Sequence, residues 1–441
     1  MITESMSRHV APGPSSYCST PSPPPSEDDY CDCSDPSLTP SSTPPSSPSM
    51  DHRPKTLFRL LPTCSPPSTI QFGQWIRITV EALGEFGTYQ REVEPGRVFK
   101  LRDGQTIMPL ECFLLVESKG QITRVSTSNQ HLRLERRALQ SPNWDGLDNL
   151  SGPGIGPSGR GGLEVRVVRT MTGAPATLWI NIGSETDRDI VPLVLGPIRL
   201  STKAFNLNTA TMEVLRPFNI PAVRGIHPRV MLLKEVWNNV PQGRVWDSAF
   251  VLKEIFRSEV MAGVEKSAPP LFAGKKTLDL SAGTGLLGLF IAGLAQMELE
   301  GSPPPIPTAT KVVLTDLEQA LDLIKHNIHS NKPKIAPNVE LTAKALAWGA
   351  SHLVRFRGVT FDTFDTVVAS DVVYEAANFD HLLETLYGLC TPGRTMLYLG
   401  YKRRALTKDS EDLFFNKISS KFKSQHSLHG LDVHVWRLWR E

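Results

Sequence analysis

The stretch LDLSAGTGLLGLF, Leu278 to Phe290, constrains this chain more than any other. A short apolar segment of strand type runs into Gly283 and Gly285 and continues directly into a longer apolar segment of helix type. Glycine is required where a backbone turns with positive φ, or where a ligand presses against it with no Cβ in the way. A helix opening from such a turn aims its unpaired N–H groups and positive dipole end at whatever lies above it. The segment reads as a nucleotide-type binding turn within an α/β sheet.

Two patterns overlap on these residues. Gly283, Gly285 and Gly288 spell G-x-G-x-x-G, the dinucleotide fingerprint. Asp279, Gly283 and Gly285 spell D-x-x-x-G-x-G, the first motif of S-adenosylmethionine (AdoMet) enzymes. Downstream, KVVLTD is a β-branched strand ending at Asp316. A carboxylate there can accept hydrogen bonds from both hydroxyls of a ribose, which suits NAD and AdoMet alike. LEQALDLIKHNIHSN places Ala320, Leu323, Ile324 and Ile328 near helical spacing. A strand, FDTVVASDVVY, carries Asp371 and Tyr374. It is followed by the helix FDHLLETLYGL, a stop at Pro392 and Gly393, the strand RTMLYLGYKRR, an amphipathic helix at FFNKISSKF and a last strand, DVHVWRLW.

Five segments in order, WDSA (Trp246 to Ala249), LDLSAGTGLLGL, VVLTDL, AWG and ASDVVY, resemble the seven-β-strand lysine methyltransferases. The similarity is to methyltransferase family 16, related to the nicotinamide N-methyltransferase-like group, and it covers roughly residues 230 to 441. It decides for AdoMet over NAD. It implies a doubly wound, seven-stranded, Rossmann-like α/β sheet and a protein lysine as methyl acceptor. By position it implies that Trp246 covers the methionine end of the cofactor. Asp279 sits inside the strand of the first motif and Gly285 in its turn, and Ser281, Ala282 and Gly283 line the cofactor through backbone groups. Asp316 takes the ribose hydroxyls and Trp348 stacks beside the adenine. Ser370 closes the fourth strand, and Asp371 and Tyr374, in a D-x-x-Y element, face the methyl donor and the target amine. One departure stands out: the family usually has glycine where this chain has Ser281. A serine fits there if its φ is negative.

The remaining sequence sets bounds. The 441 residues suffice for two domains and a tail, and 47 basic against 45 acidic residues leave no global pull toward nucleic acid or membrane. No apolar run approaches the ~18 residues of a spanning helix, and no basic-then-apolar leader is visible. The expectation is a cytoplasmic monomer, with the nucleus as a second compartment. Residues 1–66 are rich in Ser and Pro and read as a disordered tail. Residues 67–228 read as a mostly antiparallel β-rich accessory domain with a mobile glycine-rich loop, DGLDNLSGPGIGPSGRGG, and residues 229–441 as the methyltransferase domain. Cys31 and Cys33 have no second C-x-x-C partner, and His326 and His329 have no third ligand, so no metal site is expected. Two other functions stay open: methylation of a small-molecule amine, and a catalytically silent AdoMet-fold scaffold.

Overall fold

The computed structural model describes residues 57–441 apart from 66, 86–98, 101–105, 119, 127–131, 141–149, 170–176, 185–189, 203–212, 222–228, 238–240, 302–308, 336, 361–362 and 405. All described residues belong to one compact unit. Residues 1–56, most of the expected tail, lie outside this set.

From Phe58 to Glu235 the chain forms an eight-stranded and a seven-stranded sheet. Their strands alternate in burial, as in Ile76–Leu83, because successive side chains point to opposite faces. The inward faces share one core, with Leu60, Val80, Leu163 and Val165 from one sheet meeting Leu114, Ile180 and Leu193 from the other.

Two expectations are corrected here. The tail does not extend to 66: Phe58–Pro62 is a fully buried strand, paired antiparallel with Ile76–Leu83. Its apolar run, FRLLP, is masked in the sequence by the Pro- and Ser-rich residues around it. The expected mobile loop also contributes strands, Gly154–Ile155 and Arg160–Arg169. Its glycines serve close backbone approach, since a Cβ on Gly161 would lie 2.0 Å from Gly154 O, and one on Gly162 would lie 2.1 Å from Ile78 O.

The C-terminal sheet contains β1 (Lys276–Leu280), β2 (Thr310–Asp316), β3 (Val339–Ala345), β4 (Thr366–Ser370), β5 (Met396–Lys402), β6 (Lys423–His429) and β7 (Val433–Trp439). Their spatial order is β3-β2-β1-β4-β5-β7-β6, with β1 to β5 parallel and β7 antiparallel to both neighbours. Six helices accompany it: α1 (Asp247–Glu265), α2 (Leu286–Gly301), α3 (Leu321–Asn331), α4 (Ala350–Thr360), α5 (Phe379–Leu389) and α6 (Lys408–Ser419). This is the doubly wound sheet that the motifs imply. Strand order reverses beside β1, and open α/β sheets bind ligands at that crevice. Among the described residues no helix is long and apolar enough to cross a membrane.

The two sheet systems are joined by a continuous core. Phe218, Ile220, Met231 and Leu233 pack with Val245 and Phe256, and with Phe290, Ile291 and Leu294 of α2. The fit is close: a Cβ on Gly293 would lie 2.4 Å from Ile220 Cδ1. A polar clasp adds to it. Asn327 and Asn331, one helical turn apart and fully buried in α3, face strand Arg229–Glu235. Asn331 Oδ1 accepts from Leu232 N at 3.1 Å while its amide donates to Leu232 O at 2.8 Å. Asn327 makes the same pair of bonds with Lys234, at 2.8 and 3.0 Å. An open strand edge is thereby satisfied by side chains, avoiding the cost of burying bare peptide groups.

Candidate active site

The turn after β1 is tightly made. Ser281, Gly283 and Gly285 have φ of 57°, 56° and 84°. Gly285 N donates to Ala282 O at 2.7 Å, and Ala282 N to Thr315 O at 2.8 Å. Asp279 is 1% exposed and its Oδ2 accepts from Gly288 N at 2.8 Å, so the carboxylate fastens the start of α2 to β1. Burial pushes Asp279 up to about 7; the Gly288 N–H pulls the other way, and neighbouring Asp316 adds to the rise.

The condition under which a serine fits freely, a negative φ, is not met at Ser281. The residue lies in the left-handed region, where a non-glycine side chain costs about 1–2 kcal/mol. What offsets this is a hydrogen bond: Trp348 Nε1 donates to Ser281 Oγ at 3.0 Å. The serine hydroxyl orients an indole that a glycine would leave unheld.

A cavity of about 550 Å³ lies over the C-terminal ends of β1, β2 and β4. Of the residues singled out in the sequence, Trp246, Ser281, Gly283, Asp316, Trp348, Ser370, Asp371 and Tyr374 line it. Asp279, Ala282 and Gly285 do not; they shape the turn behind the wall. Asp316 accepts from Gly283 N on one oxygen (2.8 Å) and from Leu317 N on the other (2.7 Å). A carboxylate has about four acceptor positions, so one remains on each oxygen, the arrangement a vicinal diol requires. Burial raises the Asp316 pKa, and the two N–H groups oppose the rise.

The fourth strand ends earlier than its sequence suggested. β4 stops at Ser370, and Asp371 turns the chain with φ of 56°, so Asp371 and Tyr374 sit on the loop beyond the strand. The Asp371 carboxylate lies at the N-terminus of α1, where Ser248 N donates to it at 2.9 Å and Ser248 Oγ at 2.7 Å. Helix N-termini favour anions. Arg404 Nη1 completes the set at 2.6 Å. Tyr374 is 55% exposed, with its ring 6.1 Å from that of Trp348. Burial of its hydroxyl raises its pKa, and the nearby carboxylates of Glu375 and Asp316 raise it further, so the phenol stays protonated at neutral pH.

The basic cluster YKRRALTK, which in the sequence reads as a loop near the active-site mouth, supplies cations to the site. Lys402, the last residue of β5, and Arg404, just beyond it, both line the cavity. Lys402 Nζ reaches Asp247 at 2.7 Å, and Arg59 Nη2 reaches the other oxygen of Asp247 at 2.6 Å. Burial alone would push Asp247 up, but the two cations hold it below the usual carboxylate range. Arg59, Lys402 and Arg404 thus alternate with Asp247, Glu85 and Asp371 in one balanced network. Arg59 and Glu85 carry no such hint in the sequence. Among the described residues no group of three or more His, Cys, Asp or Glu could hold a metal ion.

The model of the family described as "Lysine methyltransferase" matches residues 227–421. EEF1A lysine methyltransferase 3 of Mus musculus is 35% identical over 192 residues, which span 44% of this chain and 68% of that protein. Protein-lysine N-methyltransferase EFM6 of Saccharomyces cerevisiae is 30% identical over 187 residues, 41% of this chain and 70% of that one. The chain belongs to the lysine methyltransferase family. Protein N-lysine methyltransferase METTL21A of Danio rerio is a further relative, 28% identical over 195 residues and 75% of its length. The family match begins at residue 227, so Glu85 and Arg59 enter this lysine methyltransferase site from sequence that precedes the match.

Proposed function

We propose that the protein transfers a methyl group from AdoMet to a lysine side chain of a protein substrate. The observation that carries this reading is the cavity over β1, β2 and β4, which unites Asp316, Trp348 and Tyr374 within the stretch that the family model matches. The residues present fit the cofactor. Gly283 leaves its backbone bare at the turn, Asp316 keeps acceptor positions for two hydroxyls, and Trp348 offers a flat ring fixed by Ser281. Trp246, whose Nε1 donates to Pro241 O at 3.0 Å, would close the methionine end.

AdoMet supplies an activated methyl on a sulfonium, so the protein's part is positioning and water exclusion. A free lysine has a pKa of about 10.4 and is mostly charged at neutral pH. Burial next to a cationic centre lowers that value and frees the lone pair. Tyr374, neutral and exposed to the cavity, is placed to orient the amine by hydrogen bonding rather than to remove its proton. Asp371, already accepting three bonds, contributes a fixed negative charge at the donor end. Asp316 adds a second negative charge on the wall, and both favour a sulfonium.

The test is transfer of labelled methyl from AdoMet by the full chain to cell lysate and to purified EEF1A, followed by hydrolysis and identification of the labelled amino acid. Methyl-lysine supports the reading. Label confined to small molecules would replace it with the small-amine alternative, and no AdoMet binding by titration would leave a silent scaffold.

A further inference from the structure

We propose that Glu85, a residue of the β-rich half, is a positioning residue of the methyl-transfer site: it locks Arg404 so that Asp371 and Trp246 are held in place. The proposal rests on the cavity being the AdoMet and lysine site.

Glu85 lies two residues beyond strand Ile76–Leu83 and is 8% exposed. Its carboxylate receives Arg404 side-on, with Nε to Oε1 at 3.0 Å and Nη2 to Oε2 at 2.8 Å. Its own backbone is tied in turn, because Arg244 Nη1 donates to Glu85 O at 3.1 Å. Lys402 Nζ stands 3.6 Å from Oε1. The anion therefore sits in a fixed frame.

A guanidinium is planar, so fixing two of its nitrogens on one carboxylate fixes the direction of the third. That third nitrogen, Nη1, meets Asp371 Oδ1 at 2.6 Å and Lys402 O at 3.2 Å. The face of the same group lies over the Trp246 ring, 4.9 Å from its centroid. One glutamate thus governs the plane of an arginine that touches two walls of the cavity. Asp371 alone would hold Arg404 through a single nitrogen, about which a long, rotamer-rich side chain can swing. The paired carboxylates on Arg404 also keep its charge from facing the cavity uncompensated: despite burial, which works the other way, Asp371 and Glu85 push its pKa further up.

Glu85 is therefore not a catalytic residue; it acts through Arg404, which makes the idea testable by non-additivity. Glu85→Gln preserves shape but removes the charge and one acceptor of the fork. Arg404→Lys keeps the charge but cannot bridge two carboxylates in a plane. Single-turnover transfer to lysine at saturating AdoMet should fall about tenfold or more for each variant, and the double variant should fall no further than Arg404→Lys alone. AdoMet dissociation constants, read by titration, should show the same saturation. Thermal melts within a few degrees of wild type identify variants that fold. Should Glu85→Gln unfold, Glu85→Asp serves instead, with the same non-additivity expected. Wild-type rate and affinity in Glu85→Gln, or losses that sum in the double variant, overturn the proposal. A wild type that binds AdoMet yet yields no methyl-lysine instead removes the lysine reading, while the affinity arm still decides the role of Glu85.

Discussion

Trp348 donates its indole N–H to Oγ of Ser281, whose backbone is held at a φ of 57°. Two opposing terms of similar size meet at this residue. Left-handed backbone costs a non-glycine residue about 1–2 kcal/mol, and the hydrogen bond returns about 1 kcal/mol. Ser281→Ala keeps the strain and loses the bond, so its unfolding free energy should drop by about 1 kcal/mol. Ser281→Gly loses the bond and the strain together and should unfold close to wild type, about 1 kcal/mol or more above Ser281→Ala. Both should weaken AdoMet binding by freeing the indole. Urea melts alongside titrations read the two effects, and equal stability of the Ala and Gly variants would contradict this account.

Asp316→Ala removes two acceptor positions that face the cavity. Hydrogen bonds to charged groups contribute about 1.5–3 kcal/mol each, so AdoMet affinity should fall tenfold or more. Asp316 also secures Gly283 N and Leu317 N, and a melt of the apo protein is the control. An unchanged dissociation constant in a folded variant would remove the ribose assignment.

Asp279 gives a pH signature. Its folded pKa, raised by burial to about 7, exceeds the unfolded value of about 3.9. A raised acid pKa means that the folded state binds the proton more tightly. The associated stability is complete below about pH 4 and is lost as pH rises through about 7. Asp279→Asn retains an oxygen for Gly288 N but does not titrate. The melting temperature of wild type should therefore decline relative to Asp279→Asn between those pH values, and parallel curves would show that Asp279 does not titrate in this range.

Arg59 and Asp247 are each 1% exposed and lie 2.6 Å apart. Removing one partner of a buried pair costs about 3–5 kcal/mol. Lys402 still faces Asp247, so Arg59→Ala should fall at the lower end, about 3 kcal/mol. Deleting residues 57–62 should cost at least as much, since it removes Arg59 together with a buried strand. A melt unchanged by Arg59→Ala would show that Lys402 alone suffices.

Tyr374→Phe and Asp371→Asn separate orientation from electrostatics. The phenol is exposed to the cavity, so Tyr374→Phe should slow single-turnover transfer with little change in AdoMet affinity. Asp371→Asn should reduce both, because it also loosens Arg404 and the start of α1. Wild-type transfer by Tyr374→Phe would shift the search for amine-orienting groups to Asn378 and His381 on the same wall.

The catalytic sheet was legible because its signals are local. A glycine turn, an acidic strand end and a Pro-Gly stop each depend on a few adjacent residues. β3 and β6 escaped notice: VELTAKA and KSQHSLH carry too little apolar alternation, and both are sheet edges where one flank needs no partner. The pairing within the cation network escaped for a different reason. Glu85 and Arg404 are separated by 319 residues, and no pattern in the chain announces that they meet. Asn327 and Asn331 looked like ordinary polar helix residues until strand Arg229–Glu235 was seen to lie against them.

That asparagine clasp has a bearing on how such a protein can be divided or recombined. Cut free near residue 236, the methyltransferase half would present to water two amides shaped to read a strand edge, beside the apolar flank of α2 that Ile220 covers. Such a surface invites any stray extended segment to fill it, its own or a neighbour's. A shorter relative grafted in its place would have to bring a substitute for that strand. Any transferable catalytic unit of this chain must therefore carry the strand pair from Val214 that covers α2 and α3, together with the earlier sequence that supplies Arg59 and Glu85.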